Sequence, residues 1–200
     1  LKENFLDLYN ECNKILSLKK DDLVLDIGSN DGTLLDSFKK NGLCTLGVEP
    51  SQAGQLANEN GIETIIDYFN EETVKNILIN HKKPRVITAT NVFAHIEKPN
   101  YLIKLIKKIM DENSVFVTES HYLISLIKTL QYDTIYHEHL RYYHLFALDK
   151  LFRLNDLEIF HAKKIPTHGG SIRVFVSQKG LFEKTFNLKK ILEEEKISGV

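Results

Sequence analysis

The chain has 200 residues, of which 42% are hydrophobic and 26% are charged, as in an ordinary globular domain. Its 26 basic and 27 acidic side chains nearly cancel, so the chain lacks the basic field that a polyphosphate needs, and we expect no nucleic-acid partner. Two cysteines without a CxxC pair exclude a disulfide scaffold and a zinc module visible in the sequence, and they favour a reducing, cytoplasmic compartment.

Targeting and membrane segments are not predicted. The chain begins with Leu1 rather than Met, and acidic residues interrupt its first apolar stripe, so we expect no signal peptide and a longer natural protein around this chain. The apolar runs have only the length of strands, which is well short of the roughly 20 residues that cross a bilayer. We therefore expect no membrane partner.

Strands and helices alternate over the first 130 residues. Apolar residues at helical spacing predict a first helix over 3–18. The strands predicted from β-branched runs are 23–27, 43–48, 63–66, 85–89 and 115–118. The helices predicted after them are 33–40 with Gly42 as left-handed cap, Ser51 (N-cap) to Gly61, 71–79, a helix begun by Pro99, and 123–130. This alternation predicts a doubly wound, mostly parallel α/β sheet.

The pattern changes after Gln131. Residues 131–145 are rich in Tyr and His and follow neither period, and a helix over 148–154 precedes strands over 157–163 and 172–177. The short link between these strands predicts an antiparallel hairpin. The last segment is charged and helical with little to bury. We therefore expect a core over residues 1–183 and a helical tail over 184–200 that leads to a further domain.

A glycine turn follows the first strand, which ends near Asp26. Its G-x-x-x-G spacing departs from the dinucleotide fingerprint, and the carboxylate of Asp26 repels a pyrophosphate but suits a sulfonium or ammonium. Glycines allow close approach of a ligand, and we expect free amides where the next helix starts. Glu49 ends the second strand, where an acid accepts from two ribose hydroxyls. Together these features predict S-adenosylmethionine; the alternative is a structural turn with incidental carboxylates.

The residues predicted to hold this cofactor lie at the ends of the first three strands. They are Asp26, Gly28, Ser29, Asn30, Gly32, Glu49, Pro50, Asp67, Tyr68 and Phe69. The last three follow the third strand, where an aromatic ring stacks on adenine and Asp67 accepts from its amino group. A polar cap with core aromatics explains the same three residues without a ligand.

The histidine-rich segment carries the densest chemistry. A histidine titrates near neutrality, so His139 is a candidate general base, with Glu138 to orient an imidazole and Tyr136 to donate to an oxyanion. Asn91 and His95 follow the fourth strand and belong at the same carboxyl edge of the sheet. A zinc site at His137, His139 and His144, or an oligomer interface, remain alternatives.

Other polar residues are assigned more simply. His81, His121 and His161 are isolated in the sequence and are expected on the surface or as satisfied core residues. His168 and Arg173 flank a glycine turn and are candidate substrate-binding residues, with Arg173 a candidate ligand for a nucleotide phosphate. A tight link between strands explains the same glycines without any ligand.

Five segments together carry a resemblance to a known family. They are Val24 to Leu35, Gly47 to Ser51, Asn91 to His95, Tyr136 to His139 and His168 to Ser171. In this order they resemble the S-adenosylmethionine-dependent sugar C-methyltransferases, which add a branch methyl at C3 of nucleotide-linked 4-keto-deoxysugars. The first segment is shared by very many methyltransferases, whereas the Tyr-His-Glu-His and His-Gly-Gly-Ser segments are much more specific.

The resemblance implies a fold, a reaction and roles for residues. The fold is a seven-stranded Rossmann-like class I methyltransferase sheet, and the reaction belongs to deoxysugar biosynthesis with a nucleotide-sugar partner. His139 is implied as the base beside Tyr136 and Glu138, with Asn91 and His95 on the sugar or its enolate and Asn91 also near the cofactor. The family's zinc lies in an N-terminal module that this chain lacks, so no metal is expected here.

Two other functions remain open at this point. An O- or N-methyltransferase of another small molecule would share the fold, and a non-catalytic S-adenosylmethionine-binding module would share the pocket. The sequence does not predict an oligomeric state.

Overall fold

The computed structural model describes residues 2–199. Its helices are α1 (Lys2–Leu16), α2 (Thr33–Lys39), α3 (Gln52–Glu59), α4 (Glu71–Asn80), α5 (Pro99–Ile109), α6 (Leu123–Lys128), α7 (Leu145–Arg153) and α8 (Phe186–Ser198). Its strands are β1 (Leu23–Ile27), β2 (Cys44–Val48), β3 (Thr64–Ile65), β4 (Val86–Thr90), β5 (Val115–His121), β6 (Leu157–Ile165) and β7 (Ser171–Gln178). Short 3-10 turns occupy Phe93–His95, Tyr132–Thr134 and Thr167–Gly169.

The strands form a seven-stranded sheet in the order β3-β2-β1-β4-β5-β7-β6. β1 pairs in parallel with β2 and β4, and β2 pairs in parallel with β3. β7 pairs antiparallel with both β5 and β6. The α/β sheet and its antiparallel C-terminal hairpin, both predicted from the sequence, are confirmed. Within the described chain, no helix has both the length and the apolar character that a bilayer crossing requires.

Backbone contacts divide the chain into two compact units. The first comprises the residues up to Ala89 together with Leu105–Val115, and the second comprises Thr90–Lys104 together with the residues from Phe116 onward. In the first unit all five residues of β1 are buried, as expected for a parallel strand covered on both faces. The apolar stripe of α1 buries Leu8 and Cys12, and the ring of Tyr9 meets Phe38 edge-on at 5.5 Å.

Local signals set the helix ends in the first unit. The Ser51 hydroxyl accepts from the Ala53 amide at the start of α3, and Asn70 Oδ1 accepts from the Glu72 and Thr73 amides at the start of α4. Gly42 has a φ of +86° after α2, a conformation that favours glycine. The predicted Ser51 cap and Gly42 turn are therefore both confirmed.

Aromatic and ionic contacts form the core of the second unit. Phe93, Phe116 and Phe152 pack against one another with ring centroids 5.7–6.0 Å apart. The antiparallel register places Glu119 on β5 opposite Arg173 on β7, and the Arg173 Nε donates to Glu119 Oε1 at 2.6 Å. Both side chains are buried, so this unit encloses an ion pair inside its sheet.

Three elements of the second unit differ from the sequence prediction. β5 continues to His121 instead of ending at residue 118, because β7 pairs with it as far as Ser171. α7 begins at Leu145 instead of residue 148, because the buried Glu195 carboxylate accepts from the Leu145 and Phe146 amides and so caps the helix from a distant segment. α8, expected to bury little, buries Leu188, Ile191 and Glu195.

Candidate active site

The glycine turn between β1 and α2 depends on left-handed backbone. Gly28 and Gly32 have φ values of +74° and +77°, and a Cβ on Gly32 would lie 3.0 Å from the Ile62 side chain. The amide of Gly28 donates to the Val48 carbonyl at 2.9 Å, which fixes the turn to the end of β2. Glycine is therefore required here by backbone conformation and, at Gly32, also by packing.

Two of the amides where α2 begins are bound within the turn, so the predicted free donors are reduced in number. The Gly32 amide donates to the Ser29 carbonyl at 3.0 Å, and the Thr33 amide donates to Asp31 Oδ1 at 3.0 Å. The Thr33 hydroxyl also donates to Asp31, and this hydrogen bond is the largest cause of the lowered pKa of the Asp31 carboxyl group. A short local turn thus uses two of the donors that a ligand was expected to find.

Glu49 is held at the end of β2 in contact with the glycine turn. Its Oε2 accepts from the Asn30 amide at 3.1 Å and its Oε1 accepts from the Ser51 amide at 3.0 Å. Each carboxylate oxygen has a second lone pair, so two acceptor positions remain for a ligand. The predicted ribose-binding residue is therefore positioned by backbone donors on both sides, while Pro50 beside it is exposed.

Glycines also allow close packing behind Glu49. A Cβ on Gly47 would collide with the Ser29 and Thr64 hydroxyls, and a Cβ on Gly54 would lie 2.9 Å from the Glu49 carbonyl oxygen. The Ser29 hydroxyl is buried and has no hydrogen-bond partner within residues 2–199. A buried polar group without a partner next to Gly47 is compatible with a polar ligand at this turn.

Asp26 lies in the interior of the sheet, which differs from its predicted exposure to a ligand's positive charge. The residue is 2% exposed, and its Oδ1 accepts from the Thr88 hydroxyl at 2.6 Å. Parallel pairing places Asp26 opposite Thr88 on β4, which explains the contact. Asp26 is therefore held by Thr88, and its predicted contact with a ligand's positive charge stays a prediction.

The segment after β3 retains both of its predicted explanations. Asp67 Oδ1 accepts from the Tyr68 amide at 2.7 Å, and Asp67 Oδ2 accepts from Asn70 Nδ2 at 3.5 Å. Tyr68 is 72% exposed, whereas Phe69 is half-buried. The hydrogen bonds are those of a polar cap on α4, and the exposed Tyr68 ring remains available for stacking on a base.

Four imidazoles meet in the second unit, and we call His95, His121, His139 and His168 the histidine cluster. The ring centroid of His139 lies 5.0 Å from those of His95 and His121, and His121 lies 5.3 Å from His168. The Tyr136 ring lies 4.3 Å from His139. Residues from β5, from the turn after β4, from the 131–144 segment and from the β6–β7 link are thereby brought together.

Hydrogen bonds to carbonyl oxygens fix two of these imidazoles in one tautomer. The Nδ1–H of His139 donates to the Thr134 carbonyl at 2.7 Å, and the Nδ1–H of His95 donates to the Glu138 carbonyl at 2.9 Å. A carbonyl can only accept, so the Nε2 of each neutral ring carries the lone pair. The His139 Nε2 lies 3.3 Å from the Tyr136 hydroxyl, which can donate to it.

Glu138 and Asn91 contribute differently from the prediction. The carbonyl of Glu138 holds His95, while the residue itself is exposed, so no contact of its carboxylate with an imidazole is seen. Asn91 has a left-handed φ of +57°, and its amide donates to the Glu119 carbonyl at 2.8 Å. Its Oδ1 is buried without a hydrogen-bond partner among residues 2–199. An acceptor in this state is available to a ligand donor.

His121 was not predicted as a functional residue. It is half-buried at the end of β5, and burial first, then the charges of His139, His168 and His95, lower the pKa of its imidazole. The carboxyl-edge rule that identified Asn91 and His95 after β4 would have identified His121 if it had been applied to the end of β5. His161, by contrast, is the satisfied core residue that was expected. It is buried, and its Nδ1 lies 2.9 Å from the Thr185 hydroxyl.

Arg173 does not face a ligand, which corrects the predicted phosphate contact. It is 0% exposed and is paired with Glu119 inside the sheet. His168 by contrast is exposed on the β6–β7 link, with a left-handed φ of +51°. A Cβ on Gly169 would collide with Gln131, and one on Gly170 would lie 2.6 Å from Ser125 Cβ. The glycines of this link are therefore explained by packing.

Metal ligation was an alternative for the histidine-rich segment. Among residues 2–199, no group of three or more His, Cys, Asp or Glu side chains has an arrangement that holds a metal ion. His144, one of the three suggested ligands, instead lies with Nδ1 3.4 Å from Glu195 Oε2. The described residues therefore give the metal alternative no support.

Comparisons with known proteins agree with this architecture. Two solved structures share the fold: magnesium protoporphyrin IX methyltransferase (ChlM) from Synechocystis PCC 6803 with bound SAH and an S-adenosylmethionine-dependent methyltransferase from Clostridium acetobutylicum ATCC 824. The first has a TM-score of 0.69 and 12% identity over 89% of this chain and 83% of its own. The second has a TM-score of 0.68 and 16% identity over 90% and 93%. At these identities the similarity concerns the fold.

Sequence comparison adds the family. C-methyltransferase NovU from Streptomyces niveus is 33% identical over 196 residues, which are 96% of this chain and 46% of NovU. The chain thus spans about half the length of this relative. A family described as a methyltransferase domain matches residues 2–162. The chain therefore belongs to the methyltransferase domain family, whose methyl donor is S-adenosylmethionine.

Proposed function

We propose that the chain is the catalytic core of a C-methyltransferase that acts at C3 of a nucleotide-linked 4-keto-deoxysugar. The observation that carries the proposal is the state of His139, whose Nδ1–H is held by the Thr134 carbonyl so that Nε2 is left as a base. Carbon becomes nucleophilic only after a base removes a proton next to a carbonyl. An O- or N-methyltransferase has less need of such a base.

The first unit supplies the groups for the methyl donor. Glu49, fixed by the Asn30 and Ser51 amides, accepts from the ribose hydroxyls with its remaining lone pairs. The left-handed glycines allow the ligand to approach the turn, and Asp67 with the exposed Tyr68 recognises the adenine. When bound, S-adenosylmethionine supplies an electrophilic methyl group on a sulfonium.

The second unit supplies the groups for the acceptor. His139 Nε2 removes the proton from C3, and the electrons of the C–H bond pass into an enolate. Tyr136 donates a hydrogen bond to the enolate oxygen at C4, since its hydroxyl lies 3.3 Å from the base. His95, held in one tautomer, and Asn91, with its buried free Oδ1, bind the sugar hydroxyls and position C3 for attack.

The choice of substrate rests on similarity in sequence. NovU is named a C-methyltransferase, and the segments from Tyr136 to His139 and from His168 to Ser171 resemble those of the sugar C-methyltransferases. Since the chain spans about half of NovU, we propose that domains outside residues 1–200 complete the nucleotide-sugar site. In the family these are an N-terminal zinc module and a C-terminal α/β domain.

The test compares methyl transfer by the protein and by its His139→Ala variant. With S-adenosylmethionine and a thymidine-diphosphate 4-keto-deoxysugar, we expect the variant to lose about 10²–10⁴-fold in turnover, the usual contribution of a general base. Calorimetry with S-adenosylmethionine alone is expected to give the same Kd for both. His137→Ala is the matched control, because this exposed imidazole lies in the same segment but outside the histidine cluster, with its ring centroid 6.0 Å from that of Tyr136.

Each alternative has a distinct outcome. Unchanged turnover in His139→Ala would refute the role of the base. NMR of the product distinguishes a new C–CH₃ group from an O- or N-methyl group and so decides the reaction class. Binding of S-adenosylmethionine without transfer to any acceptor would favour a non-catalytic module.

A further inference from the structure

The histidine cluster contains two imidazoles, those of His121 and His168, to which the proposed reaction assigns no chemical step. We propose that His121 is a proton carrier that discharges His139 after each methyl transfer and passes the proton to His168 and then to water. This inference rests on the proposed function, and it concerns the step that follows the chemistry on the acceptor.

Proton balance requires such a step. The C–H bond of the acceptor breaks and its proton goes to His139 Nε2, while the electron pair forms the new bond to the methyl carbon. The bond between that carbon and the donor's sulfur breaks, and its electron pair stays on sulfur as a neutral thioether. His139 therefore ends each turnover as an imidazolium, and one proton per methyl must leave the protein before the next turnover. No oxidant, reductant or further reactant is needed.

The geometry supplies a continuous path from the base to an exposed residue. His139 and His121 have ring centroids 5.0 Å apart, and His121 and His168 have centroids 5.3 Å apart. At such centroid separations we propose that one water molecule bridges the nitrogens of neighbouring rings. His139 and His121 are half-buried, whereas His168 is exposed, so the path leads outward.

Backbone pairing holds the two outer imidazoles in register. His121 pairs with Ser171 across the β5–β7 ladder, and the amide of Tyr122 donates to the Gly170 carbonyl at 3.1 Å. Gln131 Nε2 donates to the Gly169 carbonyl at 2.8 Å and fixes the link that carries His168. The distance between His121 and His168 is therefore set by the sheet rather than by flexible loops.

The surroundings of His121 suit a transient carrier. Burial first, and then the imidazoles of His139, His168 and His95, lower its pKa, so the ring is neutral at rest and does not retain a proton that it receives. The ionic groups on the same face of the adjoining strands are Glu119, two residues earlier on β5, and its partner Arg173 on β7. Since these two charges are paired with each other, they favour neither state of His121 strongly.

The other neighbour of the base is less suited to this task. His95 also lies 5.0 Å from His139 and is exposed, but its Nδ1–H is held by the Glu138 carbonyl. The proposed function assigns its remaining nitrogen to the acceptor. The His121 side is therefore the free exit while an acceptor or product is bound.

The experiment separates the first turnover from later ones. Rapid-quench methyl transfer is measured for the wild-type protein, His121→Ala and His168→Ala, in dilute buffer without imidazole. We expect the first-turnover rate of His121→Ala to lie within about twofold of wild type. In both variants we expect later turnovers to be slowed about tenfold or more relative to the variant's own first turnover, because discharge of His139 is impaired. Adding imidazole to the buffer is expected to restore the later turnovers. His137→Ala, whose exposed ring meets Tyr136, serves as the control with wild-type behaviour in both phases.

Several results would overturn the proposal. An equal loss in the first and later turnovers would assign His121 to the acceptor or to folding, and no loss in either variant would assign the exit to His95. Slow later turnovers that imidazole does not restore would also contradict it. His168→Ala, at an exposed position, keeps the test valid if His121→Ala does not fold.

A second measurement is independent of methyl transfer. Histidine ring NMR titrations without acceptor are expected to show a higher pKa of His121 in His168→Gln than in wild type, because one cationic neighbour is lost. If the wild-type protein methylates no nucleotide sugar, the proposed function fails. The carrier path is tested separately by the titration, and an unchanged pKa of His121 in His168→Gln would contradict it whatever the methyl-transfer assay shows.

Discussion

The two units of the chain build their functional groups in different ways. In the first unit the contacts that position Glu49 and Asp31 join residues 2 to 19 positions apart, as in the hydrogen bonds from Ser51 to Glu49 and from Asn30 to Glu49. In the second unit His139 is held locally by Thr134, five residues away, but other contacts span 43 residues between His95 and Glu138 and 73 residues between Tyr122 and Glu195. Local contacts leave a motif in the sequence, whereas long-range contacts do not.

The units also differ in how they treat charge. The carboxylates of Asp31 and Glu49 lie at strand ends with solvent nearby. The second unit buries Glu119 with Arg173, and it buries Glu195 against the Tyr122 hydroxyl and the start of α7. We therefore expect substitutions at functional acids to weaken ligand binding in the first unit, and substitutions at buried polar groups to weaken folding in the second.

The largest effect is expected for Arg173→Met in the second unit. The substitution leaves the Glu119 carboxylate inside the sheet without its cation, and removing one partner of a buried ion pair costs about 3–5 kcal/mol of unfolding free energy. Urea denaturation measures the loss. The double variant Arg173→Met/Glu119→Gln should recover part of it, and a loss below about 1 kcal/mol in the single variant would contradict the comparison.

A smaller effect, on binding rather than stability, is expected for Glu49→Gln in the first unit. An amide cannot accept from both the Asn30 and Ser51 amides, and it lacks the charge that strengthens hydrogen bonds to ribose. A charge-assisted hydrogen bond contributes about 1.5–3 kcal/mol, so the Kd for S-adenosylmethionine should rise about 10- to 100-fold in calorimetry. Glu59→Gln, on the exposed side of α3, should leave the Kd unchanged. An unaltered Kd in Glu49→Gln would remove this residue from the cofactor site.

The smallest expected effect is on the unfolding free energy, and it compares two buried tyrosines within the second unit. The Tyr122 hydroxyl donates to Glu195 at 2.8 Å, while the Tyr143 hydroxyl has no hydrogen-bond partner in the described part of the chain. Tyr122→Phe should lower the unfolding free energy by about 1–2 kcal/mol, because a buried carboxylate loses a donor. Tyr143→Phe should change it by less than about 0.5 kcal/mol. If both variants lose the same unfolding free energy in thermal or urea denaturation, the hydrogen bond from the Tyr122 hydroxyl to Glu195 on α8 does not stabilise the fold.

Burial raises the pKa of both tyrosines, at Tyr122 with a further contribution from Glu195. A raised pKa keeps each hydroxyl protonated through the neutral range. The difference between the two variants should therefore not depend on pH between about 6 and 9, well below the ordinary tyrosine pKa of about 10.

Prediction from the sequence was most successful where a local cause sets the structure. Residues within a few positions determine the Ser51 cap, the Gly42 turn and the hairpin formed by β6 and β7. The start of α7 was misplaced because its capping group, Glu195, lies 50 residues from Leu145. The end of β5 was misplaced because its last pairs form with β7, which lies about 50 residues further along the chain.

The same division applies to the candidate site. Glycine at Gly28 and Gly32, Glu49 at the end of β2 and the Tyr136–His139 segment were identified from residue type and spacing. Residue type and spacing did not indicate that His121 contacts the other histidines of the cluster or that Arg173 pairs with Glu119. Whether a polar residue near a strand end faces a ligand or a buried partner depends on the neighbouring strand and its register.

The sequence by itself determined the alternation of strands and helices, the glycine turn and the residue types that carry acid, base and stacking chemistry. Those properties depend on hydrophobic periodicity and backbone conformation, which act over a few residues. Only the tertiary structure decided which histidines share a cluster, which tautomers they hold and which charges are buried. These outcomes depend on antiparallel pairing of β7 with β5 and on the packing of α8, and such contacts between distant segments leave no pattern in the local sequence.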